Sequence, residues 1–225
     1  MIFIRKIGAI VWKDVISEFR TKETVLSMGL FSFLVLIIFS FAFGIDTGDL
    51  HKMMPGIIWV AFIFSGLIGL NRTFGAERDK GTLPGLLLCP VSPWGIFLSK
   101  MIGVFIFTVV MEVFLLVLFT ILYNLNLVPV LFPFGLILFL GTLGFSIIGT
   151  MVSAISAKTS ARDVMLSILV FPISVPLIIA SVKAMEKMLA GKPIQTIYPW
   201  LKILTAYDLV FLLVVYLTFE FVMEE

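Results

Sequence analysis

The sequence holds one cysteine, Cys89, and one histidine, His51, in 225 residues. A single cysteine excludes an internal disulfide framework. One cysteine and one histidine, without paired carboxylates, also leave no ligand set for a metal and no acid–base couple for hydrolysis. Charge is scarce as well: Asp, Glu, Lys and Arg make up 13% of the chain and the net charge is +2, too little to imply a nucleic-acid partner. No polar stretch is long enough for an independent soluble domain. Any ATPase, redox or large binding domain is therefore expected on another chain.

What the chain has in abundance is apolar surface. Hydrophobic residues make up 60% and the mean hydropathy is +1.17, which places it among all-α integral membrane proteins as a single transmembrane domain over residues 1–225. Six spans are expected at about 25–43, 55–74, 101–123, 131–155, 164–182 and 201–219, each near the roughly 20 residues a crossing needs. Residues 1–22 are different. Ile4, Ile7, Val11, Val15 and Phe19 form a helical stripe, with Arg5, Lys6, Lys13, Asp14, Arg20 and Lys22 on other faces. That pattern predicts an amphipathic helix in the headgroup layer with Trp12 at the interface; a plain basic anchor is the simpler role for it. Its charges run throughout, so no cleavable signal peptide is expected.

Basic residues set the orientation. Arg5, Lys6, Lys13, Arg20, Lys22, Arg72, Arg78, Lys80, Lys100, Lys158 and Arg162 fall on one side of a six-span chain, and only Lys52, Lys183, Lys187, Lys192 and Lys202 on the other. Both termini are thus expected in the cytoplasm, with the four lysines of 183–202 dissenting. That stretch carries Met185 and Leu189 on one side and charge elsewhere, and it predicts a short amphipathic helix on the outer surface between spans five and six.

Residues 71–100 form the one long polar interruption. Leu83, Leu86, Leu87 and Val91 put an apolar, roughly helix-spaced cluster beside a charged turn, so the segment is a candidate docking surface for a soluble partner. Its G-A-E-R-D-K-G-T run at 75–82 imitates a phosphate-binding loop, but the Lys precedes the Gly and a span rather than a strand comes before it. An ordinary amphipathic inner loop is the alternative. Cys89, beside Pro90, is expected to be a packed residue.

Within the spans, Glu112 is a costly acid at depth, open either to proton or substrate work or to a hydrogen bond with a neighbouring helix. Ala61, Ser65 and Gly69, and then Gly149 and Ser153, recur at spacing four and suit close helix packing. Pro55 is expected in the first turn of span two. Pro172 and Pro176 predict a bend in span five, static or gating. His51, in the outer loop 44–54, has no companion ligand and is taken as a loop residue.

Several stretches together resemble the CcmB family, the membrane subunit of the heme-exporter-like ABC complex of cytochrome c maturation. They are P-G-I-I-W-V-A at 55–61, L-N-R-T-F…E-R-D-K-G-T-L…L-L-L-x-P at 70–90, L-S-K at 98–100, L-G-T-L-G-F at 140–145 and L-S-I-L-V-F-P-I-S-V-P-L at 166–177. The resemblance implies a six-span ABC-2 type permease in the bacterial inner membrane with a coupling helix between spans two and three. In that family the subunit pairs with a second copy and with a CcmA-like ATPase that binds ATP and Mg, and associates with CcmC-like and CcmD-like subunits and a CcmE-like heme chaperone. Heme is then the handled ligand, this chain binds no cofactor of its own, and the complex exports heme or releases heme-loaded chaperone. Carried over, Arg72, Glu77, Arg78, Gly81, Thr82 and Leu83 fall in the coupling segment with Leu86, Leu87 and Leu88 as its apolar face. Pro84 departs from the family pattern, where an acid often follows G-T-L, which leaves Glu77 as the electrostatic contact. A proton-coupled carrier working alone through Glu112 is the competing function.

Overall fold

The computed structural model describes residues 2–43, 50–79, 81–82, 85, 88–123, 130–159 and 161–224. Among the described residues the long and short helices follow in order: α1 (Ile2–Thr21), α2 (Glu23–Phe43), α3 (Leu50–Thr73), α4 (Gly75–Asp79), α5 (Pro93–Tyr123), α6 (Leu131–Ala157), α7 (Arg162–Leu189) and α8 (Ile194–Glu224). Six of them, α2, α3, α5, α6, α7 and α8, are long and apolar enough to cross a bilayer, so this is a multi-pass all-α membrane protein. The end of the bundle where α2 begins and α8 finishes is called the near end below.

The spans run longer than hydropathy predicts because polar residues continue the helices past the apolar core. Ser92 and Pro93 open α5: the Ser92 hydroxyl accepts from the Gly95 N–H at 3.3 Å, and proline suits the first turn. Lys100 therefore lies inside α5 rather than ahead of it. Pro55 is the sixth residue of α3, not part of its first turn. The separate outer helix expected over 183–202 is not formed: 183–189 complete α7, and α8 starts at Ile194. Between them Gly191 takes φ +65, and the Gly191 and Lys192 N–H groups close on Met188 O and Lys187 O, each at 3.0 Å. A left-handed residue just past the last turn ends α7 where its charged residues would otherwise carry it on. With 28 and 31 residues, α7 and α8 are about 42 and 46 Å long and outreach a hydrocarbon layer of roughly 30 Å. The helix of α7 is unbroken through Pro172 and Pro176.

The amphipathic α1 lies against α5. Ile7, Val11 and Val15 of its stripe are half-buried and Ile4 is exposed. The chain turns from α1 into α2 at Lys22, whose φ of 57 is uncommon for a side chain with a Cβ. Glu18 holds that elbow. Its carboxylate accepts from the N–H groups of Thr24 (2.7 Å) and Val25 (3.0 Å) and from the Thr24 hydroxyl (2.7 Å). Those N–H groups have no partner within α2, and an anion at a helix N-terminus is favoured by the helix dipole.

The core is arranged around α6, which packs against α3, α5, α7 and α8. Small residues make those approaches. A Cβ at Gly141 would fall 2.0 Å from Trp59 of α3, and one at Gly149 would fall 2.4 Å from Leu70. Ser153 donates to Leu70 O at 2.8 Å, Ala61 and Ser65 are fully buried, and Gly69 faces Met28 of α2. The small-residue stripes thus join helices within this chain.

Candidate functional site

Polar side chains concentrate at the near end. Lys100, 2% exposed, donates to Asp14 Oδ2 at 2.9 Å and to Glu77 Oε1 at 2.7 Å, and lies 5.7 Å from the Phe74 ring centroid. Lys13 reaches the same two acids, at 2.7 Å from Glu77 and 3.2 Å from Asp14. One network thereby ties α1, α4 and α5 together. A buried lysine is costly alone, and here two carboxylates offset its desolvation. Burial pulls the Lys13 ammonium down, yet the hydrogen bond to Glu77 and the charge on Asp14 outweigh it and hold it above the ordinary lysine range. The Lys13 contribution is present below the ordinary lysine range and is lost only as pH rises through that raised value, so the tie holds throughout the neutral range.

A second set of contacts joins α4 to the turn between α6 and α7. Arg78 donates to Ala157 O and Thr159 O, placing a cation on the last carbonyls of α6. Arg162 pairs with Asp79 at 3.2 Å and Asp163 at 3.1 Å, and its guanidinium lies so close over Gly75 that a Cβ there would fall 2.6 Å from it. Lys6 of α1 donates to Pro90 O. Helix α4 is therefore tied to α1, α5 and α6, and Pro90 to α1.

The sequence-predicted residues are placed unequally around this network. Arg72 is exposed and pairs with Glu23 at 2.5 Å, a surface contact of small energetic weight. Gly81 and Thr82 are exposed in a turn where Gly81 has φ +65, and Leu88 is 86% exposed. Leu83, Pro84, Leu86 and Leu87 lie outside the described residues, as do Lys80 and the outer connections 44–49 and 124–129; His51 sits in the first turn of α3 with its side chain likewise outside. Glu77 is only 7% exposed and turned inward to two lysines, so it belongs to the internal tie and not to the open face. Cys89 is exposed, contrary to the packed position expected, because residues 88–91 form a surface turn.

Deeper in the bundle Glu112 meets a partner that sequence did not reveal: the Thr142 hydroxyl of α6 donates to Glu112 Oε1. A second acid, Asp208 of α8, is also buried, with both oxygens unpartnered and Oδ1 against Gly144. Helix α8 is continuous, and Asp208 lies midway along it. Tyr207 beside it donates to Ile173 O at 2.9 Å. Glu112→Gln keeps an acceptor oxygen for Thr142 and is expected to leave the melting temperature unchanged and activity within about twofold of the parent, as for a hydrogen bond retained. Loss of activity with an unchanged melting temperature would assign Glu112 a proton-carrying role.

Lys100, Lys13, Asp14, Thr142 and Asp208 are the residues sequence reasoning passed over. The Ser92–Pro93 helix start was the available signal for Lys100, since it puts the lysine two turns inside α5. Nothing local marks Asp14 or Thr142, whose partners are 86 and 30 residues away.

Known proteins have sequences similar to this one. The family described as CcmB protein matches residues 5–224. Heme exporter protein B of Pseudomonas aeruginosa is 27% identical over 193 residues, covering 85% of this chain and 85% of that one. The proteins of the same name from Bradyrhizobium diazoefficiens and Paracoccus denitrificans are 26% and 28% identical, covering 82% and 78% of this chain and 83% and 80% of theirs.

Proposed function

The chain belongs to the CcmB protein family, and on that premise we propose that it is the transmembrane subunit of an ATP-driven heme exporter acting in cytochrome c biogenesis. ATP and Mg are bound by a separate CcmA-like ATPase, which docks on the near end. That end faces the cytoplasm of a bacterial cell with an inner membrane, so both termini are cytoplasmic. The observation that supports this reading is the buried ion network of Lys100, Glu77, Asp14 and Lys13, which links the exposed turn at Gly81 and Thr82, through α4, to the membrane helix α5 and to α1. A network of this kind suits the transfer of a push from a soluble partner into the bundle, because rigid elements move together.

Arg72, Arg78, Gly81, Thr82, Leu83, Leu86, Leu87 and Leu88 form the docking surface in this reading, and Glu77 passes the motion on. A second copy of the chain completes the permease. CcmC-like and CcmD-like subunits and a CcmE-like chaperone receive the result, as heme export or as release of heme-loaded chaperone. Co-purification from native membranes tests it. Paired Leu86→Ser and Leu87→Ser changes are expected to cut ATPase-subunit recovery at least about tenfold, as for loss of two interface anchors, with the melting temperature of the chain unchanged. Full recovery of the ATPase subunit would leave residues 71–100 an ordinary inner loop.

The competing function, a carrier working alone, draws on the two buried carboxyls Glu112 and Asp208. Transport by the purified chain without any ATPase would establish it.

A further inference from the structure

Directly behind the ion network lies a cavity of about 530 Å³ between α1, the start of α2, α3, α4 and α5. Its wall carries Lys13, Asp14, Glu18, Arg72 and Glu77, and its floor Gly69, Gly103, Val104 and Phe107. Two independent observations mark it as a site rather than loose packing. Glu77 directs Oε1 to both lysines, while its other oxygen, Oε2, is buried without any partner. Gly103 is buried in α5, yet a Cβ there would meet nothing within 4 Å. A buried carboxylate oxygen left unsatisfied is costly, and a turn of the Glu77 carboxyl about its last torsion would bring it to the cavity that Glu77 lines.

The lining decides what that donor is. Its carboxylates, Asp14, Glu18, Glu23, Glu77 and Asp79, outnumber its cations, Lys13, Arg72 and Lys100, so a positively charged group is favoured. The apolar run of α3 ends at Leu70 and gives way to Asn71 and Arg72, so the cavity sits where hydrocarbon meets headgroups. Its polar wall and apolar floor suit a ligand that is charged at one end and oily at the other.

We propose that this cavity binds the headgroup of a primary-amine phospholipid, of the phosphatidylethanolamine type. The ammonium donates to the Glu77 carboxylate once it turns Oε2 toward the cavity, the phosphate faces the half-exposed Arg72 and Lys13, and the acyl chains leave along Gly103, Val104 and Phe107. A quaternary ammonium has no N–H and cannot make the first contact. The site needs no ATPase partner, so its failure and that of the export reading are separable.

The test uses the full chain in nanodiscs of phosphatidylethanolamine, phosphatidylcholine or phosphatidylglycerol, with retained lipid measured by native mass spectrometry after detergent exchange. The parent chain is expected to retain the ethanolamine lipid about tenfold over the choline lipid, as for one charge-assisted hydrogen bond. Gly103→Leu fills the floor while leaving the ion network in place, and it is expected to remove that retention at an unchanged melting temperature. Glu77→Gln is expected to lower the selectivity for the ethanolamine lipid. Equal retention of the ethanolamine and choline lipids, unaltered retention in Gly103→Leu, or a bound divalent cation in place of lipid by elemental analysis would each overturn the proposal.

Discussion

Lys100→Ala is expected to lower the stability of the near end by about 3–5 kcal/mol, the cost of removing one member of a buried ion pair. The substitution strands Glu77 and Asp14 against a single remaining lysine, Lys13, whose side chain is half in solvent. Because the lost contacts join α1 and α4 to α5, the damage falls first on α1. Amide exchange and limited proteolysis should show α1 opening well before the six spans, alongside a lower melting temperature. Lys100→Arg keeps the charge and should recover part of the loss. An α1 as protected in Lys100→Ala as in the parent would show that the network carries no weight in holding the helices together.

Gly141→Ala is expected to cost about 1–3 kcal/mol through overpacking. The added methyl would fall 2.0 and 2.7 Å from two ring atoms of Trp59 and 3.0 Å from the Ser181 hydroxyl. Trp59 is itself 1% exposed and packs edge-on against Phe62, so the ring has nowhere to go. The clash makes a further demand. Trp59→Leu should partly rescue Gly141→Ala, so that the two changes together destabilise less than their separate effects added. Additive losses in melting temperature would mean that the two helices meet elsewhere.

The six spans and α1 were legible because apolar length and a helical stripe are local properties, carried by runs such as residues 25–43 and by Ile7, Val11 and Val15. Their ends were less so. Residues 183–202 look amphipathic and were expected to form a separate helix, yet nothing stops α7 before Gly191 supplies a left-handed turn. The polar segment of residues 71–100 was visible by its charges, but sequence gives a charge no direction. Glu77 looked available to a partner and instead faces inward, since the two lysines that claim it stand 64 and 23 residues away. Asp208 was hidden for a similar reason: α8 is apolar on both sides of it, and only the packing of Gly144 shows that the carboxyl is enclosed.

The bend at Lys22 carries a mechanical corollary. Glu18 is part of α1 and at the same time closes the open amides of α2, so the start of the second helix loses its acceptor if the end of the first moves away. Tilting the first against the membrane plane must then swing the second about the same pivot, and the joint works as a crank that turns sideways thrust into rotation of the first membrane-crossing rod.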